Sequence, residues 1–171
     1  MSLKWKNGSI KRNFGFNLEG LEFNQNRFHA IYFVDSQSGS LLLSNRYSES
    51  AGINSGIYKN REDLISGFLN ALNMFIKEIK NNNDEEIQEV NFKKTRILYE
   101  KRGRLLCIGI SKKTNLQIER EIIQEIMKDF YERFENEING FKGYIEPKIL
   151  EYKTRLRNLN LNSLISFNKN M

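Results

Sequence analysis

The chain has 171 residues, 39% hydrophobic and 28% charged, an ordinary globular composition that excludes a disordered polymer and is enough for about one domain burying roughly 70% of its unfolded surface. A single Cys excludes an internal disulfide, no apolar run reaches the roughly 18 residues of a membrane span, and residues 1–12 lack a secretory h-region, so the sequence reads as cytosolic. The net charge of +6 sits at the ends: residues 1–27 carry five basic and two acidic side chains, and from Lys142 onward there are six against two.

Phe28 to Val34 is rich in aromatic and β-branched residues and predicts a strand, and Asp35-Ser36-Gln37-Ser38-Gly39 supplies the chemistry of a short reversal. Ser40 to Arg46 returns as the hairpin partner. Residues 48–60, with Gly52 and Gly56 and no period, read as a loop. A helix follows from Asn60 or Arg61. Its apolar residues Leu64, Phe68, Leu72, Phe75 and Ile79 recur at steps of three and four, and Ile65, Leu69 and Ile76 widen the stripe beyond what one sheet face needs.

After the polar connection Asn81-Asn82-Asn83-Asp84, three strands are predicted at Ile87–Phe92, Thr95–Glu100 and Arg104–Ser111, with a tight turn at Arg102-Gly103. Leu105 to Ile110 is apolar on both faces, the mark of a central strand, whereas Ile87 to Lys93 mixes polar and apolar residues as an edge does. Thr114 or Asn115 can cap a second helix carrying Ile123, Ile126, Met127, Phe130, Phe134 and Ile138 on one stripe and stopped by Gly140 and Gly143. A third helix is predicted after Pro147, with Ile145, Ile149, Tyr152, Leu156 and Leu159 on a narrow seam.

Catalytic chemistry is sparse. The one His, His29, and the one Cys, Cys107, both fall in predicted strands, where packed side chains are the ordinary reading and a Cys-His nucleophilic pair the exceptional one. Zinc-ligand spacing and an EF-hand loop are both missing. Ala51 to Gly56 lacks the ending of a P-loop and the spacing of a dinucleotide fingerprint. Glu85, Glu86 and Glu89 read as a solvated acidic run. The expectation is a protein that is not an enzyme, with no catalytic residue, cofactor or metal.

The order of two strands, helix, three strands and helix resembles the longin fold. Ile31-Tyr32-Phe33-Val34-Asp35 with Gly39 resembles the opening hairpin of longin domains and small adaptor-complex subunits. Asp63 to Leu72 resembles their first helix, and Leu105 to Ser111 with Phe130 and Phe134 resembles their last strand and second helix. The expected fold class is therefore α/β and longin-like: a five-stranded, mostly antiparallel sheet in the order β-β-α-β-β-β-α with an added C-terminal helix. The expected organisation is an N-terminal extension at 1–27, a core domain at 28–141 and a basic helical extension at 142–171. The roadblock fold, a permuted relative, begins with a helix and fits less well.

The resemblance implies a non-enzymatic interaction module, a scaffold or regulator of a small GTPase in membrane traffic or signalling, partnered by a small GTPase or by another longin or roadblock domain. The C-terminal heptads are too few for a SNARE bundle, so fusion activity is not expected. Two surfaces suit such partners: the sheet edge with Asn91 and Lys93, which could also pair two copies of the chain, and the over-wide apolar arc of the first helix, with Met74 outside its main stripe. The competing expectation for that helix is that Phe14-Gly15-Phe16-Asn17-Leu18 folds back on it. The third helix either docks on the domain's own core or meets an acidic membrane or partner through Lys148, Lys153, Arg155 and Arg157, which would place the protein peripherally on a cytoplasmic membrane face. The alternative class is a nucleic-acid-binding protein, suggested by pI ≈ 9.4 and by Trp5, Phe14, Tyr144 and Tyr152 near the basic ends. No predicted strand carries the basic and aromatic face of an RNA reader, which makes nucleic acid the weaker partner.

Overall fold

The computed structural model describes residues 27–47, 61–79, 86–159 and 161, and for 61–66 the backbone only. Five strands and three helices follow one another: β1 (Phe28–Asp35), β2 (Leu41–Arg46), α1 (Arg61–Ile79), β3 (Glu89–Asn91), β4 (Arg96–Arg102), β5 (Leu105–Ser111), α2 (Leu116–Asn139) and α3 (Pro147–Asn158). The strands form one sheet in the order β2-β1-β5-β4-β3, and every pairing is antiparallel. This is the α/β order expected of a longin-like fold. The readings of residues 1–26 and of the 48–60 loop lie outside the described residues.

β5 is the middle strand. Its alternation places Leu105 and Cys107 in one buried layer and Leu106 and Ile108 in the other, as its apolar sequence requires. β3, the edge, keeps only three residues of the predicted six; Gln88 still accepts a hydrogen bond from the Tyr99 amide before the pairing ends. The β4–β5 turn falls one residue later than expected. Arg102 pairs with Leu105, leaving Gly103-Arg104 as the two-residue loop, with Gly103 at φ +57° in the first position.

The face covered by α2 and α3 holds most of the core. Phe33 of β1 stacks on Phe130 of α2 with ring centroids 3.9 Å apart and planes within 11°. Phe134 and Tyr152 meet Phe130 edge-on at 5.0 and 5.1 Å. α2 can lie this close because β5 carries Gly109, where an added Cβ would stand 2.5 Å from Ile123 Cδ1. The α2 start is fixed by Asn115, whose Oδ1 accepts from the Ile118 amide at 3.1 Å.

Buried carboxylates tie this face together. Glu119 accepts from Ser111 Oγ at 2.8 Å, from the Thr114 amide at 2.7 Å and from Arg96, joining α2 to the ends of β4 and β5. Asp35 accepts from Arg104 and from the Ser38 amide, and Arg104 also donates to the Phe141 carbonyl at 2.9 Å, so the first hairpin is tied to the end of α2. Burial alone would raise the Asp35 pKa, but the hydrogen bonds from Arg104 and Ser38 outweigh it and hold it below the usual carboxylate range.

α3 belongs to the same core. Ile149, Tyr152 and Leu156 are buried with Phe33, Leu42 and Phe130. Asp129 of α2 accepts from Tyr152 Oη at 2.7 Å and from Arg155 Nε at 2.9 Å, and Tyr47 after β2 donates to the Leu156 carbonyl at 3.3 Å.

Candidate interaction surface

The opposite sheet face is built differently. It carries Ala30, Tyr32, Val34, Tyr99, Leu106 and Ile108, and among the described residues α1 is the helix that crosses it, over β1 and β2. The side of α1 against the sheet is Leu69, Asn70 and Asn73, all buried. Two hydrogen bonds to α1 hold this side: the Ile87 amide donates to Asn73 Oδ1 at 3.2 Å and Tyr99 Oη donates to the Leu69 carbonyl at 3.4 Å. Asn70 lies against Gly39 of the first hairpin and donates to Met74 Sδ at 3.5 Å.

The principal apolar stripe of α1 therefore does not face the sheet. Phe68 is 65% exposed, Phe75 57% and Ile79 59%, with Leu72 half-buried between them; Met74, on the neighbouring flank, is 52% exposed. A stripe spaced for burial is expected to be the core side of a helix. Here the narrower flank of Leu69 and Ile76, interrupted by Asn73, is the seated side: Asn73 accepts from the Ile87 amide at the β3 lead-in, which Phe68 or Phe75 could not do, and the small side chain of Asn70 packs against Gly39. Three large side chains in a row on one exposed helix face are more than scattered surface apolarity. The side chains of Leu64 and Ile65, predicted to extend the stripe, lie outside the described residues.

Beside α1, where β3 stops pairing with β4, a cleft of about 430 Å³ is lined by Asn73, Glu86, Tyr99, Lys101 and Arg120 among others. Its charges neutralise one another. Glu86 accepts from Lys77 at 2.9 Å and Lys101 at 3.1 Å, and Arg120 bridges Glu89 and Glu100 at 2.9 and 3.0 Å. Burial pushes the Glu86 carboxyl up, but the two lysines outweigh it and keep it below the ordinary value; Glu89 is lowered by hydrogen bonds from Asn91 and Arg120. Neither is poised to exchange a proton near neutral pH.

The strand His and Cys do not form a pair. Cys107 lies opposite Phe33, and His29 is four residues further along β1, about 13 Å at strand rise. Burial pushes the Cys107 thiol strongly up, away from the reactive thiolate, and burial, then the nearby Lys112, lowers the His29 pKa. Among the described residues, no group of three or more His, Cys, Asp or Glu side chains converges as metal ligands do, and no helix is long and apolar enough to cross a membrane.

The residues singled out from sequence fall in three places. Met74 projects from the exposed side of α1. Asn91 and Lys93 are exposed at the β3 edge, where Asn91 accepts from Arg96 Nε at 3.0 Å and donates to Glu89 at 2.9 Å. Of the four cations around α3, Lys148 is paired with Glu137 and Arg155 with Asp129, whereas Arg157 is exposed and Lys153 half-buried. Exposure of Phe68, Phe75 and Ile79 was not foreseeable residue by residue. The over-wide stripe signalled a surplus of apolar area without saying which part would be left out.

No protein-family model matches the chain, and no curated protein matches its sequence. Among solved structures, the chain is similar to a chain of a structure titled "Homology model of the full-length AP-3 complex in a stretched open conformation", with 15% identity over 76% of this chain and 93% of that chain and a TM-score of 0.38. A likeness of that size carries no argument about function.

Proposed function

We propose that the chain is a non-enzymatic, longin-like protein-interaction module that docks a partner on the exposed stripe of α1, acting as scaffold or regulator of a small GTPase in membrane traffic or signalling. The observation that carries this reading is the outward-facing ridge of Phe68, Phe75 and Ile79. Burial of each such side chain is worth about 1.5–3 kcal/mol, and an amphipathic helix, or a face of a small GTPase or second longin or roadblock domain, would gain it. The sheet edge is the lesser candidate, since only three residues of β3 are available for strand addition or self-pairing. A peripheral contact with acidic membrane through Lys153 and Arg157 is weaker still, because Lys148 and Arg155 are already paired.

The test is capture from native lysate with identification by mass spectrometry, comparing the full chain with a Phe68→Ser/Phe75→Ser variant. Small GTPases or longin and roadblock proteins held by the first and lost from the second are expected. Equal capture by both, or nucleic-acid machinery that disappears with nuclease, would overturn the reading.

A further inference from the structure

A second surface, separate from the α1 ridge, lies at the end of the sheet away from the Gly39 turn. Arg96 and Phe28 both pair with Ser111, which sets the β3–β4 turn, the β5–α2 connection and Arg27 side by side. Each connection carries two adjacent lysines, Lys93-Lys94 in one and Lys112-Lys113 in the other. Lys113 ties them together. Its backbone sits at φ +56°, uncommon for a residue other than glycine, and its ammonium donates to the Phe92 carbonyl at 2.7 Å. The Lys112 amide donates to the Arg27 carbonyl at 3.0 Å, and the Arg27 side chain donates to Thr114.

The carboxylates at this end are already committed. Glu119 is buried and holds Arg96, Ser111 and Thr114, while Glu89 holds Arg120 and Asn91. Among the described residues, no carboxylate pairs with Lys93, Lys94, Lys112 or Lys113. Apolar side chains stand among these cations. Phe92, 54% exposed, opens the first turn, and the exposed Leu116 opens α2 just after the second.

We infer that this end of the domain is a contact site for an acidic lipid surface, with Lys93, Lys94, Lys112 and Lys113 at headgroup level and Phe92 and Leu116 reaching the acyl boundary. Lysine suits that place, because its long stem lies along apolar surroundings while its ammonium stays in water. A single-stranded nucleic acid would use Phe92 as a stacking platform but would gain little from Leu116. A bilayer rewards both.

The test is partition of the full chain onto phosphatidylcholine vesicles with and without about one-third phosphatidylserine. Binding to the acidic vesicles only, weakening as salt is raised, is expected. Lys93→Glu/Lys94→Glu/Lys112→Glu should weaken it at least about tenfold, since each lysine near such a surface is worth about fivefold. The milder Lys93→Gln/Lys94→Gln, at side chains with no partner among the described residues, should still weaken it at least about fivefold. Phe92→Ser, which leaves the charge unaltered, should weaken it about threefold or more. Lys128→Glu/Lys142→Glu/Lys153→Glu makes the same change in net charge on α2, beyond its end and on α3, and should weaken it less than about threefold. Equal binding to both vesicles, binding to neither, equal loss in the two triple variants, or full binding by Phe92→Ser would overturn the assignment. A single-stranded oligonucleotide bound through the same lysines, with acidic vesicles unbound, would overturn it in favour of nucleic acid.

Discussion

The two faces of the sheet put the same residue types to opposite use. Behind β1 and β5, Phe33, Phe130, Phe134 and Tyr152 interlock beneath two helices, and Glu119, Asp35 and Asp129 fix the ends and the helix pair with hydrogen bonds. In front, α1 rests on Leu69, Asn70 and Asn73 and turns Phe68, Phe75 and Ile79 outward. One face spends its aromatics on stability, and the other leaves them available. The difference teaches that an apolar stripe locates a helix's potential contact, while the polar groups beneath the helix decide which way it sits.

The largest effects should come from the packed face. Phe130→Ala removes the ring stacked on Phe33 and is expected to cost about 3–5 kcal/mol in urea unfolding. A loss under about 1 kcal/mol would mean that this face is not the principal core. Asp129→Asn should cost about 1–3 kcal/mol by weakening the bonds to Tyr152 and Arg155 that seat α3. Burial alone would raise the Asp129 pKa, but Tyr152, Arg155 and Arg133 hold it below the ordinary carboxylate value. Its folded pKa thus lies under its unfolded one, so its stabilisation is present above about pH 4 and disappears as pH falls through the folded value. Unfolding midpoints measured from pH 6 to 2 should fall less steeply in Asp129→Asn than in the unaltered chain.

Gly109→Ala sharpens the comparison at its closest approach. The new methyl group would meet Ile123 Cδ1 at 2.5 Å and Phe28 Cε1 at 3.1 Å, so the Ile123 side chain must leave its place or α2 must shift, with an expected loss of about 1–3 kcal/mol. Gly67 in α1 has open space around it, and Gly67→Ala should instead stabilise by a few tenths of a kcal/mol to about 1 kcal/mol through helix propensity. Thermal melts of the two variants should therefore move in opposite directions.

Much of this architecture is readable from local pattern. The two-sided apolar run of Leu105 to Ile110 marks the centre of the sheet, the α2 stripe of Ile123, Ile126 and Phe130 is the buried one, and the seam of Ile149, Tyr152 and Leu156 is covered by the core. Each depends on hydrophobic spacing alone. The orientation of α1 does not, because Leu69 and Phe68 are adjacent candidates and the choice depends on the Ile87 amide and the Gly39 turn, which come from distant sequence. The carboxylate hubs were hidden for the same reason. Asp129 and Glu119 look like ordinary helix-surface acids until Tyr152, Arg155, Arg96 and Ser111 are brought to them. The shortened β3 shows a similar limit, since its end depends on where the Asn73 side chain takes the Ile87 amide.

The central claim is that stability and docking lie on opposite faces, and Phe75→Ser measured in one preparation for both properties tests it most directly. The account predicts an unfolding free energy in urea within about 1 kcal/mol of that of the unaltered chain, as for a surface substitution, together with loss of small-GTPase or longin-class partners from native lysate. A destabilisation as large as that of Phe130→Ala, or full retention of those partners, would contradict it.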